Sequence, residues 1–273
     1  ASGSGRAWGA SVLYPNLGLT GSAEVQRIDE RFQPALGYLA EAGVLRGQGD
    51  LGWWHRTEAG ASVIPAVDWS FRRRLDGSEA SLLLNPEIAY SNAAGDTVMA
   101  EVFVETDRLA GGYAPVPGTW LAPGSYRWQY LFGYLETSQA RPVSAYAELR
   151  SGGYYDGRRD DQMLQLTWKP GPRWGWRVGA TRNAIHLPSG DFTVRMATLR
   201  LEHTPGTRLA QSLMLQWDNV SNALGASARL RWLWAPGQEL LFALDHLGYT
   251  GEQRAFQPRQ TRALLKLVWN VER

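Results

Sequence analysis

Hydrophobic and polar residues alternate with a period of two along most of the chain. Clear examples are the runs at residues 63–71, 98–107, 143–150, 163–169, 226–232 and 262–271. Strict alternation predicts β-strands that have one apolar face and one polar face. We find no segment with the 3.6-residue period of an amphipathic helix, so the pattern indicates an all-β protein.

Turn residues separate these runs at regular intervals. Pro-Gly pairs at Pro170, Pro205 and Pro236 each close one run and open another. The spacing leaves room for two strands and a loop, which extends over the chain to about 16 strands. The alternative is 14 strands, because residues 37–56 could form one strand or two. We expect a bulge or a local break near Pro65 and Pro86, since proline cannot donate to a strand ladder.

The connections fall into two classes that belong to opposite ends of the strands. Tight Pro-Gly turns mark one end. The other end has the connections at residues 187–191 and 221–224, and longer Gly- and Tyr-rich segments at 109–124, 152–159 and 248–260. With no composition shift and no linker, we interpret residues 1–273 as a single domain.

The alternation alone does not show which face is buried. A soluble β-sandwich or lipocalin-like barrel has the same period, with its apolar face inward. Rows of about 9–11 residues, however, match a tilted transmembrane strand. Tryptophans also collect where the apolar rows meet the tight turns, as in an interfacial aromatic girdle: Trp168, Trp174, Trp176, Trp232, Trp234 and Trp269. The candidates for the opposite girdle are Tyr90, Tyr126, Trp128, Trp217 and Tyr249. We therefore predict an antiparallel, up-and-down transmembrane β-barrel.

In such a barrel the polar rows point into a hydrated lumen. The predicted lumen-lining charges are Glu87, Glu101, Glu105, Asp107, Arg127, Glu148, Arg150, Arg177, Asp218, Arg229, Arg231, Asp245, Arg262 and Lys266. We expect opposite charges to form ladders on neighbouring strands, with Glu148 beside Arg127 and Asp245 beside Arg229, Arg231 and Arg262. Bulky residues on the same rows predict a partly filled lumen: Leu83, Phe103, Leu131, Leu135 and Tyr146.

Composition excludes several classes of function. With no cysteine, the chain has neither a disulfide framework nor a cysteine-ligated metal. A net charge of +2 without any like-charge run argues against a nucleic-acid partner. The four histidines are scattered, and nothing places a general base near a nucleophile. We therefore predict no catalytic residues, no metal and no cofactor.

Several segments together resemble one known family. They read GYYDGRR at 153–159, RNAIHLPSGDF at 182–192, QWDNVSN at 216–222, ARLRW at 228–232 and APGQEL at 235–240, with FQPALGY at 32–38. They resemble the outer-membrane β-barrel module of unknown function that often follows a carbohydrate-binding, family-9-like domain in larger bacterial proteins. The resemblance implies a barrel in the bacterial outer membrane, and it implies no substrate.

Two functions remain open at this stage. The chain could be a pore or translocation channel for small or glycan-like solutes, with segment 109–124, including Tyr113 and Trp120, folded inward as a constriction. Alternatively it could be a closed or plugged barrel that anchors a periplasmic or surface carbohydrate-binding module or partner protein. The expected partners are membrane lipid, a periplasmic or surface protein, and glycan.

Overall fold

A computed structural model describes residues 5–34, 39, 41–250 and 256–269. None of these residues belongs to a helix long and apolar enough to cross a membrane. The described chain is all-β, and its 16 strands are β1 (Ala7–Pro15), β2 (Leu19–Ile28), β3 (Val44–Trp53), β4 (His55–Arg56), β5 (Ser62–Arg74), β6 (Ala80–Ser91), β7 (Thr97–Leu109), β8 (Gly124–Glu136), β9 (Val143–Tyr154), β10 (Gly157–Gly171), β11 (Trp174–Leu187), β12 (Gly190–Gly206), β13 (Leu209–Asp218), β14 (Ala223–Ala235), β15 (Gln238–Thr250) and β16 (Phe256–Trp269).

The strands form one up-and-down sheet in which each long strand pairs with the next. Its order is β1-β2-β3-β5 and then consecutively to β16, while β4 pairs with β5. The pairings from β1 to β7 and from β12 to β16 are antiparallel, as hairpin connections require. The predictions of an all-β fold and of 16 antiparallel strands are confirmed. Residues 37–56 hold β3 and the two-residue β4.

Both predicted proline effects occur as local breaks and not as bulges. The β3–β5 ladder stops at Ala66, and β4 resumes the pairing at Val63, so the gap lies opposite Pro65. The β6–β7 ladder skips Pro86 and continues in the same register at Glu87. At each proline two residue pairs are missing from the ladder, and the register is the same on both sides of the gap.

The up-and-down topology gives the sheet a turn end and a loop end. The Pro-Gly turns lie at the turn end, and the connections after β7, β9, β11 and β13 lie at the loop end. The prediction of a long loop at 152–159 is wrong. Strand β9 reaches Tyr154 and β10 starts at Gly157, so the connection is a tight turn. The long connection between β7 and β8 is present.

The two faces of the sheet have inverted burial compared with a soluble protein. On β10 the apolar side chains of Leu164, Leu166 and Trp168 are 46–48% exposed, whereas Thr167 between them is 6% exposed. On β7, Val98 and Val102 are exposed while Glu101 is buried. We call these the apolar face and the polar face. A soluble sheet turns its apolar face inward.

Contacts divide the chain into two compact units. The first comprises Ala1–Tyr134, Leu149–Asp160 and Ala184–Phe192, and the second comprises Leu135–Glu148, Asp161–Asn183 and Thr193–Arg273.

Candidate functional site

In the first unit, the connection between β7 and β8 folds into a compact loop, residues 110–123. Tyr113 and Leu121 form an antiparallel bridge, with the Tyr113 N–H donating to the Leu121 carbonyl at 3.2 Å and the Leu121 N–H donating back at 2.9 Å. At the tip, the Thr119 hydroxyl donates to the Val116 carbonyl at 2.7 Å. A loop with its own hydrogen bonds holds a defined shape although it is neither helix nor strand.

Leu121 anchors this loop by burying its side chain. It is 1% exposed and packs against Ile185 and Leu187 at the end of β11, with Leu109 and Val116 at the edge of the cluster. Beside it, the Trp120 N–H donates to the Ser189 hydroxyl at 2.8 Å. The loop is therefore tied to the β11–β12 turn by one apolar and one polar contact.

Tyr155, in the β9–β10 turn, is the centre of an aromatic cluster under the loop. Its ring centroid lies 4.4 Å from Trp128, 5.3 Å from Tyr126, 5.0 Å from Tyr154 and 6.3 Å from Tyr113. Its backbone has φ 53°, a left-handed conformation that a tyrosine rarely adopts. Surrounding contacts must stabilise that conformation, because it costs on the order of 1–3 kcal/mol.

The Tyr155 hydroxyl connects the loop to β7. It accepts a hydrogen bond from Tyr113 at 2.7 Å and donates to the Asp107 carboxylate at 3.2 Å. Burial, together with the bond to Tyr113, raises the pKa of Tyr155. The group therefore stays protonated and can donate to Asp107 across the whole physiological range.

The two residues predicted for a constriction differ in their contacts. Tyr113 joins the cluster and is 38% exposed, whereas the side chain of Trp120 is 56% exposed. The loop contacts Asp107, through Tyr155, and Ile185. The structure therefore brings the predicted constriction loop onto the polar side of the sheet, where it is attached to β7, to the β9–β10 turn and to the end of β11 with the turn that follows it.

Carboxylates gather on the polar face of the first unit. The strand register pairs Asp50 with Asp68, Asp68 with Asn85, and Glu87 with Glu101. Asn85 donates to Glu101 at 2.9 Å. The same rows continue to Glu105 and Asp107 on β7. The acids of β6 and β7 were predicted to line the lumen. Asp50 and Asp68 were not, although both lie on alternating polar positions.

The predicted orientation of β8 is wrong. Trp128 and Tyr130 are buried, Tyr130 stacks on Phe103 at 4.6 Å, and the Arg150 guanidinium lies 3.8 Å from the Tyr130 ring centroid. The aromatic row of β8 therefore belongs to the polar face and not to a girdle. Three residues predicted to point into the lumen consequently lie on the apolar face: Arg127, Leu131 and Leu135, of which Leu131 is 61% exposed. The predicted pairing of Arg127 with Glu148 is wrong for the same reason.

The polar face of the second unit carries ion pairs between neighbouring strands. Arg229 binds Asp245 at 2.8 Å, as predicted, and Asp245 pairs in register with Arg262. Arg231 instead binds Glu239 at 2.6 Å, a partner that the sequence analysis missed. Lys266 lies opposite Leu241.

The other predicted charges of the second unit have local surroundings. Glu148 accepts a hydrogen bond from the Tyr146 hydroxyl at 2.8 Å, and Arg177 is exposed on β11. Asp218 accepts hydrogen bonds from the Val220 and Ser221 amides at 3.0 and 2.7 Å, so it caps the β13–β14 turn. The sequence did not predict these contacts, which follow from the position of Asp218 at the end of its strand.

The six tryptophans predicted as a girdle form two groups near the turn end of the second unit. Trp176 has its ring centroid 5.9 Å from Trp168 and 6.2 Å from Trp174, and Trp174 stacks on His203 at 3.9 Å. Trp234 lies 5.8 Å from Trp232 and 6.1 Å from Trp269. Four of the six are 42–59% exposed, namely Trp168, Trp174, Trp232 and Trp269.

Each of the four histidines has different neighbours. His186 contacts Asp191 at 3.1 Å, and both side chains are exposed at 46% and 71%. Within the described part of the chain, no group of three or more His, Cys, Asp or Glu residues could hold a metal ion. No family model, curated protein or solved structure matches the chain.

Proposed function

We propose that the chain is a bacterial outer-membrane β-barrel whose polar face lines an aqueous pathway for small or glycan-like solutes. In this proposal the sheet closes on itself and turns its apolar face to lipid. Closure satisfies the backbone donors and acceptors of the edge strands, as a bilayer requires.

The observation that supports this proposal is the exposed apolar face. Large aliphatic and aromatic side chains of this face are 38–67% exposed on strands along the sheet, including Val12 on β1, Val102 on β7, Leu149 on β9 and Leu265 on β16. A soluble protein does not leave so extended an apolar surface in water. Lipid covers such a surface without cost, and the charged residues of the other face then need water.

Charge is distributed unevenly over the polar face, which gives the pathway a testable property. Acids dominate in the first unit, at Asp50, Asp68, Glu87 and Glu101, and basic residues dominate around Arg229 and Arg231 in the second. Charged rings and rows of this kind sort solutes by sign. Neutralising both Arg229 and Arg231 should change the ion selectivity of the reconstituted pore, and unchanged selectivity would contradict this part of the proposal.

The direct test is conductance of the purified chain in a planar bilayer. We expect steady openings whose conductance increases with salt, and sugars that bind in the pathway should interrupt them. Leu131→Ala, on the apolar face, serves as the matched control and should leave the conductance unchanged. A correctly inserted but silent protein would contradict the pathway.

A second function is favoured by the docked loop. Leu121 and Trp120 fasten residues 110–123 over the polar face, as a plug would be fastened. A plugged barrel would serve as an anchor for a carbohydrate-binding module or a partner protein, in keeping with the family resemblance. Deletion of residues 112–120 separates the two functions, because conductance appears only in the deletion variant if the intact loop is a plug.

A further inference from the structure

The polar face of the second unit contains a concavity of about 640 Å³ near the turn end. Its size lies within the range of sites for small organic molecules, roughly 300–1,000 Å³. Strand register explains why the face is hollow here. The row Glu202, Ser212, Arg229, Ala243 and Leu264 runs across β12 to β16, so the small side chains of Ser212 and Ala243 flank Arg229 on both sides.

The concavity is lined by more cationic than anionic side chains, and three of its cations, Arg200, Arg229 and Arg231, bind carboxylates. Five cationic side chains line it: Lys169, Arg173, Arg200, Arg229 and Arg231. The only acid in its lining is Glu202, which binds Arg200 at 2.6 Å. Arg173 and Lys169 have no carboxylate partner among the residues that the structure describes. Arg231 donates to Glu239 through Nε, which uses one of its five N–H groups.

One wall of the concavity is apolar, which is unusual for this face. Leu241 lies opposite Arg231, and Leu264 lies opposite Ala243. Each belongs to a Leu-Leu pair, at 240–241 and 264–265, so that one leucine of each pair is placed on each face. This interruption of the alternation puts two leucines beside the arginines.

We propose that this concavity is a binding site for an anionic amphiphile, a carboxylate on a short alkyl chain that arrives from the aqueous phase. Arg229, Arg231 and Arg173 supply donors for the carboxylate, since charge-assisted bonds to guanidinium groups are strong. Leu241 and Leu264 cover the alkyl chain. The site adds a ligand class to the proposed pathway, and its chemistry stands on residues of the second unit alone.

Octanoate is the probe, measured by isothermal titration calorimetry on the full chain in a neutral maltoside detergent. We expect saturable binding of octanoate, binding of acetate at least tenfold weaker, and no binding of octanamide. If octanamide binds as tightly as octanoate, the charge is irrelevant and the proposal is overturned. If acetate binds as tightly as octanoate, the alkyl chain is irrelevant and the proposal is equally overturned.

The variant Arg231→Gln should weaken octanoate binding about tenfold, the loss of one charge-assisted contact. Arg158→Gln is the matched control. Both arginines bind a carboxylate through Nε, at 2.6 Å for Arg231 and 2.7 Å for Arg158, and they are 60% and 59% exposed. Equal affinities in the two variants would overturn the site.

Leu241→Gln provides an independent test should Arg231→Gln fail to fold. It should weaken octanoate and leave acetate unchanged, and equal octanoate affinity in Leu241→Gln and the parent protein would refute the apolar wall. In nanodiscs, added phosphatidylglycerol should not change octanoate affinity, whereas a drop would overturn the assignment to an aqueous ligand. Conductance of the same purified protein in planar bilayers separates the octanoate site from the proposed pathway. A protein that binds octanoate but shows no conductance contradicts only the pathway.

Discussion

The Tyr113 hydroxyl donates to the Tyr155 hydroxyl at 2.7 Å, and this bond joins a loop of the first unit to the β9–β10 turn, 42 residues away in sequence. The Tyr155 hydroxyl in turn donates a hydrogen bond to Asp107. The left-handed backbone of Tyr155 places its ring in the aromatic cluster. The position of the loop thus depends on Tyr155, whose left-handed backbone conformation is rare for a tyrosine.

Tyr155→Phe should loosen the loop while keeping the ring contacts. The change removes two hydrogen bonds, one of them to a carboxylate, and should destabilise the loop by about 1–3 kcal/mol. Limited proteolysis at residues 110–123 measures the effect as faster cleavage. Tyr14→Phe is the control, because the Tyr14 hydroxyl has a single exposed contact with Asn16. Equal cleavage rates in the two variants would contradict a fastening role for Tyr155.

Leu121→Ala should release the loop more completely. Truncating a fully buried leucine costs about 2–5 kcal/mol, and Leu121 is 1% exposed. Thermal unfolding followed by circular dichroism, together with conductance, measures the loss of stability and the opening of the pathway. Leu131→Ala removes the same atoms from a side chain that is 61% exposed and should change neither readout. A larger effect at Leu131 would mean that the corrected orientation of β8 is wrong.

Gly190→Ala should displace the β11–β12 turn from the loop. A Cβ there would lie 2.5 Å from the Gly118 carbonyl oxygen, at a φ of +155°. The substitution should therefore destabilise the protein by more than about 1 kcal/mol. Gly206→Ala is the control, since no heavy atom lies within 4 Å of its added Cβ. The melting temperatures of the two variants give the comparison, and a drop of equal size in both would be evidence against the close approach.

Acid should weaken a contact between the β2–β3 connection and β5. A hydrogen bond from Arg72 holds the pKa of Glu41 below its usual value. The contact therefore stabilises the folded protein above the unfolded-state pKa of about 4.3, and this stabilisation is lost as the pH falls through the lower folded-state pKa. Glu41→Gln should reduce stability at pH 7 and match the parent protein near pH 2. The expected loss of stability is small because Arg72 is partly exposed. Equal stability of the two proteins at pH 7 would contradict a stabilising role for the Arg72–Glu41 contact.

The strand positions could be predicted from the sequence because a period of two is a local signal. The orientation of β8 could not. Aromatic residues alternate there with Arg127, Gln129 and Leu131, and the aromatic row resembles a lipid-facing one. What decides its orientation is Phe103 on another strand and Arg150 on a third, contacts far apart in sequence. The contacts of Asp218 were not predicted for a similar reason, since its partners belong to the turn that follows it.

The loop was recognised from its length and composition, but its attachments were not. Ile185 and Leu187 at the end of β11 and Ser189 in the turn that follows lie more than 60 residues from Leu121, and no pattern in either segment identifies the other. The aromatic cluster around Tyr155 was equally hidden, because it joins residues of the loop, of β8 and of the β9–β10 turn. The Gly- and Tyr-rich composition of residues 152–159 predicted only a loop there.

The central claim, that the apolar face meets lipid and the polar face meets water, is tested most directly by a single-cysteine scan of residues 163–168 on β10. The chain has no native cysteine, so each introduced thiol carries the only label. In liposomes, a fluorophore at positions 164, 166 and 168 should be quenched by spin-labelled lipid, and at 163, 165 and 167 by aqueous iodide. Uniform quenching by iodide at all six positions, or alternation in the opposite phase, would contradict the account.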